Sequence, residues 1–260
     1  MQLIKFGAYR QFCASKSPTS CSCKTNGAIS TTDANFVDKN GRVGGSSAIT
    51  ADGKEVVISA STDVFCASGA TIIVDVTTAT GRTWMDRNLG ATQVATSSTG
   101  ANAYGDLYQW GRRSDGHQCR NSATTTALSA VDQPVNGNFI DSPYNWRSPQ
   151  NDNLWQGVNG INNPCPTGYR LPTVTELNEE RLSWSPNINA TGAFNSVLKL
   201  PMAGYRQSGN GLLTIAGSLG IYWSSTVSGT NARYLLFASS EAGMHAFYRA
   251  FGFSVRCLKD

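Results

Sequence analysis

Few residues in this chain are spaced to do chemistry. Asp86 and Arg87, within Trp84-Met85-Asp86-Arg87-Asn88, offer a carboxylate beside a cation. Such a pair suits acid/base work, but under a long loop it is more often a structural ion pair. The two histidines, His117 and His245, stand far apart, and no Ser-His-Asp order, HExxH pair or phosphate loop occurs. Oxygen ligands gather in Asn151-Asp152-Asn153 and Asn159 to Asn163, and calcium takes six to eight oxygens. A polar loop held by its own side-chain hydrogen bonds explains them as well. Of seven cysteines (Cys13, Cys21, Cys23, Cys66, Cys119, Cys165 and Cys257) none forms a CxxC. Cys21-Ser22-Cys23 is isolated from both histidines, so disulfides or buried thiols are expected rather than zinc. An odd count leaves one thiol free or paired with another chain. No metal or catalytic residue is assigned.

Recognition chemistry is better represented. Between Asn231 and Phe253 stand Tyr234, His245, Phe247, Tyr248 and Phe251. Exposed together they would form an aromatic patch, with large contact area at low entropic cost. The competing reading places them in the core of the last strands. Phe251, Phe253 and Val255 alternate, so Phe253 and Val255 are expected in the core. Phe247 and Tyr248 are adjacent, so a strand must turn one of them outward.

These residues need elements to hold them. Thr173-Val174-Thr175-Glu176 is a capping box after Pro172, predicting a helix to about Arg181 with Leu177 and Leu182 buried. A second helix is expected near Ala103 to Gln109. Strands are expected at 54–59, 71–76, 82–87, 201–206, 212–216, 220–225, 232–238 and 252–258. All six tryptophans lie beyond residue 80, where they are expected to anchor loops rather than stack on sugars. Residues 1–70 hold four cysteines and much Ser, Thr and Gly, and read as a small β-rich module before a larger domain over 71–260.

Composition narrows the function. The chain has 260 residues, is 15% charged and carries 26 glycines. That excludes a coiled coil. The net charge is +4 without a basic face, so no nucleic-acid partner is expected. No apolar run is long enough for a membrane span. Cysteine usage favours an oxidising destination, yet the start, Met1-Gln2-Leu3-Ile4-Lys5-Phe6-Gly7, shows no signal peptide. A removed leader or a virion protein released by lysis would reconcile the two.

Ordered motifs sharpen this. Gly81-Arg82-Thr83-Trp84-Met85-Asp86-Arg87-Asn88-Leu89-Gly90 precedes Ala103-Tyr104-Gly105-Asp106-Leu107-Tyr108-Gln109-Trp110-Gly111-Arg112. Asn163-Pro164-Cys165-Pro166-Thr167-Gly168-Tyr169-Arg170-Leu171-Pro172-Thr173 follows, then Tyr222-Trp223-Ser224-Ser225 and Gly252-Phe253-Ser254-Val255-Arg256-Cys257. Over about 75 to 260 the chain resembles the Fibrobacter succinogenes major paralogous domain family, akin to formylglycine-generating-enzyme domains. The resemblance implies an α+β, C-type-lectin-like fold with few helices, short antiparallel strands and long loops. It also implies a disulfide between Cys165 and Cys257.

The tail is similar to variable proteins of diversity-generating retroelements, in which Asn codons are rewritten. Tyr234, Leu236, Ala238, Gly243, His245, Ala246, Phe247, Tyr248 and Phe251 all have codons that such rewriting can reach, whereas Glu241 does not. The resemblance implies that these nine bind ligand, in a face over about 226–251. It implies a non-enzymatic receptor-binding protein at a phage tail tip or fibre, without cofactor. The ligand would be a host-cell surface protein or glycan, and the N-terminal module would attach to other virion proteins. A homo-oligomer, a trimer by analogy, is expected, in the virion or outside the cell. A secreted bacterial adhesin or calcium-dependent lectin is the alternative, although Gln133-Pro134 is followed by Val135 where a sugar triplet needs Asp. A formylglycine-generating oxidase would need a reactive cysteine pair near the C-terminal end, where only Cys257 lies.

Overall fold

A computed structural model describes residues 63–66 and 69–260 in full, and before them the backbone of five short strands. Those are β1 (Leu3–Phe6), β2 (Tyr9–Phe12), β3 (Phe36–Val37), β4 (Ala48–Ile49) and β5 (Glu55–Val56). Strands β1 to β3 form one antiparallel sheet and β4 and β5 another. Cys13, Cys21, Cys23 and most of the expected strand at 54–59 lie outside the described residues. The chain divides into Met1–Thr62 and Asp63–Asp260, so the larger unit begins earlier than residue 71. Cys66 belongs to it because a disulfide ties Cys66 to Cys119.

The larger unit is α+β, built of small, mostly antiparallel sheets and two α-helices. One sheet joins β6 (Asp75–Thr77), β7 (Thr83–Met85), β11 (Tyr169–Arg170) and β18 (Leu258–Lys259), in the order β11-β18-β7-β6. The last strand therefore returns beside the first long motif. A second sheet joins β8 (Tyr108–Gln109), β12 (Tyr205–Arg206), β13 (Leu213–Thr214) and β17 (Gly252–Phe253), in the order β13-β12-β17-β8. The expected strand at 252–258 is thus two strands, because the chain crosses between sheets at residues 254–257. A parallel pair, β9 (Thr124–Thr125) and β10 (Phe139–Ile140), holds an intervening loop. The longest strands, β14 (Gly220–Ser228), β15 (Asn231–Phe237) and β16 (Ala242–Tyr248), form an antiparallel sheet in that order.

Helix α1 (Val174–Leu182) starts on the expected capping box: the Glu176 N–H donates to Thr173 Oγ1 at 3.3 Å, and the Thr173 N–H to Glu176 Oε2 at 2.7 Å. Its buried residues are Leu177 and Glu180, while Leu182 is exposed. Leu182 lies five positions beyond Leu177, off the face that Leu177 and Glu180 share at i, i+3 spacing. Helix α2 (Ala190–Asn195) is capped by Asn189, whose side chain accepts from the Thr191 and Gly192 N–H groups. The helix expected at 103–109 is instead a single 3₁₀ turn, Ala101–Ala103, leading to β8. Gly105 has φ +67°, and a Cβ there would strike the Leu89 carbonyl, so the chain turns out of the helical path.

The β14–β16 sheet divides the interior. Tyr222, Leu235 and Phe237 join Trp84, Leu177 and Trp184 on its helical side. Ile221, Trp223 and Ala232 join Trp110, Trp155, Phe253 and Val255 on the other. All six tryptophans are buried, and several tie loops together. The indole of Trp110 donates to Ser224 O, Trp146 to Trp110 O, Trp155 to Asn162 O and Trp223 to Tyr108 O, at 2.7–2.9 Å. Arg256, also buried, donates to Leu198 O at 2.6 Å and to Asn88 Oδ1 at 2.8 Å; Asn88 Nδ2 in turn donates to Tyr222 Oη. The motifs around residues 88, 222 and 256 meet in this network.

Cys165 and Cys257 are disulfide-bonded with a sequence separation of 92. Closing so long a loop constrains the unfolded chain by about 4–5 kcal/mol in the entropy model. We predict that Cys165→Ser with Cys257→Ser lowers unfolding free energy by about 2–5 kcal/mol in denaturant titration. A change below about 0.5 kcal/mol would show that the sheets close the domain without the bridge.

Candidate functional site: an aromatic groove on the β14–β16 sheet

Strand alternation decides what the sheet shows to solvent. Register places Trp223 opposite Tyr234, Tyr234 opposite His245, Leu236 opposite Gly243, and Ala232 opposite Phe247. These side chains share one face, because residues paired across a ladder point the same way. Tyr222, Leu235, Phe237 and Met244 point the other way, toward the helical core.

On the outer face lies an open apolar groove of about 270 Å³. Four expected site residues line it: Tyr234, Leu236, Phe247 and Phe251. The Phe247 and Phe251 rings are 4.8 Å apart, and Phe247 remains 38% exposed. Gly243 and His245 share the face at its rim; a Cβ on Gly243 would come within 2.8 Å of the His245 ring. His245 is exposed, its ring 5.7 Å from Tyr234. Gly243 and His245 are not part of the groove lining, and three further expected residues lie away from it. Ala246 faces the opposite way by alternation. Tyr248 ends the strand with its ring 4.9 Å from both Phe247 and Tyr144. Ala238 lies in the β15–β16 turn, where its N–H donates to Glu241 O.

The groove also uses residues not expected at the site: Tyr205, Ile215, Leu219, Ile221 and Phe253. Phe253, expected in the core, is buried there and forms part of the floor, 4.1 Å from Trp223. Ile215 stands out because its φ is +48°, a conformation costly for a β-branched residue. The Ser218 and Leu219 N–H groups donate to its carbonyl, and the Gly204 N–H donates to Leu219 O, which fixes the loop on β12. Its side chain is thereby held half-exposed at the groove. No sequence signal separates Ile215 from an ordinary strand isoleucine.

Arg249, directly after Tyr248, holds this face in place. Its side chain is 1% exposed and its guanidinium lies 4.5 Å over the Trp110 ring. It donates to Gly229 O at 3.0 Å and Asn231 O at 3.3 Å in the β14–β15 turn, and to Asn151 O at 3.2 Å. It also pairs with Asp152 at 2.8 Å. Asn151 and Asp152, read as potential calcium ligands, therefore engage the arginine; Asn151 Nδ2 further donates to Asp132 Oδ1.

Several other ionisable groups are tied into structure. Arg87 chelates the Asp86 carboxylate at 2.7 and 2.9 Å, and this hydrogen bonding raises the arginine pKa. His117 is fully buried, with Nδ1 2.6 Å from Asp115 Oδ1, and Nε2 accepts the Gln109 N–H at 3.0 Å. Both ring nitrogens are occupied. Burial, with Arg112 alongside, pushes His117 down to about 4, so the folded ring is neutral. Burial alone would raise the Asp115 carboxyl, but His117 and Arg112 hold it well below the usual range. A second hollow is lined by Arg82, Arg170, Glu176 and Asp260, whose charges pair with one another or with Glu179. Among the described residues no three His, Cys, Asp or Glu side chains gather as a metal site, and no helix is long and apolar enough to cross a membrane.

Compared with models of protein families, with curated proteins and with solved structures, the chain matches none.

Two expected outcomes follow from the charges. Arg249→Met removes the buried donor shared by the Gly229, Asn231 and Asn151 carbonyls and should cost about 2–4 kcal/mol of stability. Asp152→Asn should cost less than about 1 kcal/mol, because that carboxylate is half-exposed and its pairing is screened. Denaturant titration of both variants checks the pair, and equal losses would contradict the role given to Arg249. Asp106 supplies a pH test. Burial pushes its carboxyl up to about 7 against the pull of Arg120. The folded state then keeps a proton that the unfolded chain releases above about 4, so this group's contribution is lost as pH rises from about 4 to about 7. Asp106→Asn should match the natural protein near pH 4 and become progressively more stable than it toward pH 7. A constant difference across that window would contradict the assignment.

Proposed function

We propose that this protein is a non-enzymatic recognition protein of the C-type-lectin-like kind. The groove face of β15 and β16, with Phe251, is its ligand-binding surface. The observation that carries this reading is the convergence of Tyr234, Leu236, Phe247 and Phe251 on one open groove, while the other side of the same strands packs in the core. A rigid sheet that presents aromatics binds without paying to order them. The ligand is a host-cell surface protein or glycan, and the setting is a phage tail tip or fibre. Met1–Thr62 serves as the attachment module to other virion proteins, and the whole works as a homo-oligomer. A secreted surface adhesin is the alternative setting, and the two disulfides suit either oxidising destination. The engagement of Asn151 and Asp152 with Arg249 supports binding without calcium over a calcium-dependent lectin.

Labelled protein should bind susceptible host cells. Phe247→Ser should weaken that binding by about thirtyfold or more, as loss of an aromatic anchor does, with an unchanged thermal midpoint. Binding unaffected by Phe247→Ser, and by Leu236→Ser beside it, would remove the groove from the reading. If the segment is rewritten at Asn codons, deep sequencing of the gene's 3′ end in a clonal population will show substitutions at the nine expected positions. Trp223, Arg249 and Cys257 should stay fixed. A uniform sequence would make this a fixed adhesin.

A further inference from the structure

The sheet that carries the groove ends in an open strand. The far side of β14 is covered: the Trp223 N–H donates to Ser254 O, the Ser254 N–H to Ile221 O, and the Ser225 N–H to Pro172 O. Strand β16 has β15 on one side only. Which of its groups face outward follows from the hairpin. The Ala238 N–H donates to Glu241 O at 2.8 Å, so residues 238 and 241 form a hydrogen-bonded pair. Bonded and non-bonded pairs alternate along an antiparallel ladder. Gly243, His245 and Phe247 therefore bond to β15, and Ala242, Met244, Ala246 and Tyr248 turn their N–H and C=O groups away. Two of those carbonyls are engaged, Ala242 O by Arg181 Nη1 at 3.1 Å and Tyr248 O by the Phe251 N–H at 3.3 Å. The N–H and C=O of Met244 and of Ala246 have no partner among the described residues.

Exposed edges are normally blunted by proline, by charge or by brevity. β16 runs seven residues and contains no Pro, Lys, Arg, Asp or Glu. We infer that β16 pairs antiparallel with β16 of a second copy of this chain, about a twofold axis at His245. In that register Met244 stands opposite Ala246 of the copy, and Ala246 opposite its Met244. Every N–H and C=O of Met244 and Ala246 on both strands is then used. Centring the axis on Met244 would bring Ala242, whose carbonyl holds Arg181, against Ala246. Centring it on Ala246 would set Met244 against Tyr248, whose carbonyl holds the Phe251 amide. The strand carries no Lys, Arg, Asp or Glu that would meet its like on a copy. A twofold interface asks one surface to complement itself, and this edge does. The two sheets become one of six strands with both grooves on the same side, which favours bivalent attachment.

The pairing is independent of what the groove binds, so its test does not depend on a host. Analytical ultracentrifugation of the full chain should show a monomer–dimer equilibrium. Ala246→Pro removes only an outward N–H and leaves the β15 ladder intact. It should raise the dimer dissociation constant about thirtyfold, since two hydrogen bonds are lost in the symmetric pair. In the natural protein, hydrogen exchange at the Met244 and Ala246 amides should slow as concentration rises. That measurement decides the matter should the proline variant misfold. A monomer at every concentration, an oligomer indifferent to Ala246→Pro, or exchange at these amides independent of concentration would overturn the inference.

Discussion

The geometry of the groove-bearing sheet rests on one buried cation. Arg249 sits where β16 gives way to the last strands, and its guanidinium reaches the β14–β15 turn, the Asn151–Asp152 loop and the Trp110 ring at once. Desolvating a guanidinium is costly unless its donors are satisfied. Backbone carbonyls from two separate segments supply most of that satisfaction. The arginine therefore holds in register segments that few other bonds would bring together. Burial lowers its pKa, while Asp152 works in the other direction.

Around that tie, one face of β14–β16 packs in the core, while the other packs its β14 end through Ile221 and Trp223 and opens toward β16. Tyr222, Leu235 and Phe237 look inward to Leu177 and Trp184, and Arg256 fastens the sheet's neighbours through Asn88. Tyr234, Leu236 and Phe247 look outward. The period of two along a strand makes this separation possible, because each residue committed to the core leaves its neighbour free for the surface. The strained Ile215 backbone, held by Ser218, Leu219 and Gly204, adds the groove's remaining rim from another sheet.

Much of this was legible in the sequence where a local rule applied. The capping box marked α1 because Thr173 and Glu176 satisfy each other's amides within one turn. That one of Phe247 and Tyr248 must face outward followed from their adjacency; that it is Phe247 did not. What required distant partners was not legible. The groove's contributions from Tyr205, Leu219 and Ile221 depend on β12 and β14 lying near β15 and β16. Leu182 followed an apolar spacing that Glu180 displaced, since the Glu180 carboxylate could accept the Trp184 indole and be buried. Helix α2 carries Gly192 and Thr191, weak helix formers, and stands because Asn189 caps it and its Ala190 N–H donates to Ala238 O. The expected helix at 103–109 failed because Gly105 must pass against the Leu89 carbonyl.

The central claim is that Leu236, Phe247 and Phe251 are free to serve recognition because the fold does not rely on their side chains. The most direct measurement is a saturation substitution scan across residues 220–256, read by resistance to proteolysis of the displayed protein. Polar substitutions at Leu236, His245, Phe247 and Phe251 should leave resistance close to that of the natural protein, while Tyr222, Trp223, Phe237, Arg249 and Arg256 should tolerate almost none. If Leu236, Phe247 and Phe251 prove as intolerant as Trp223, the aromatics are core residues and the account is wrong.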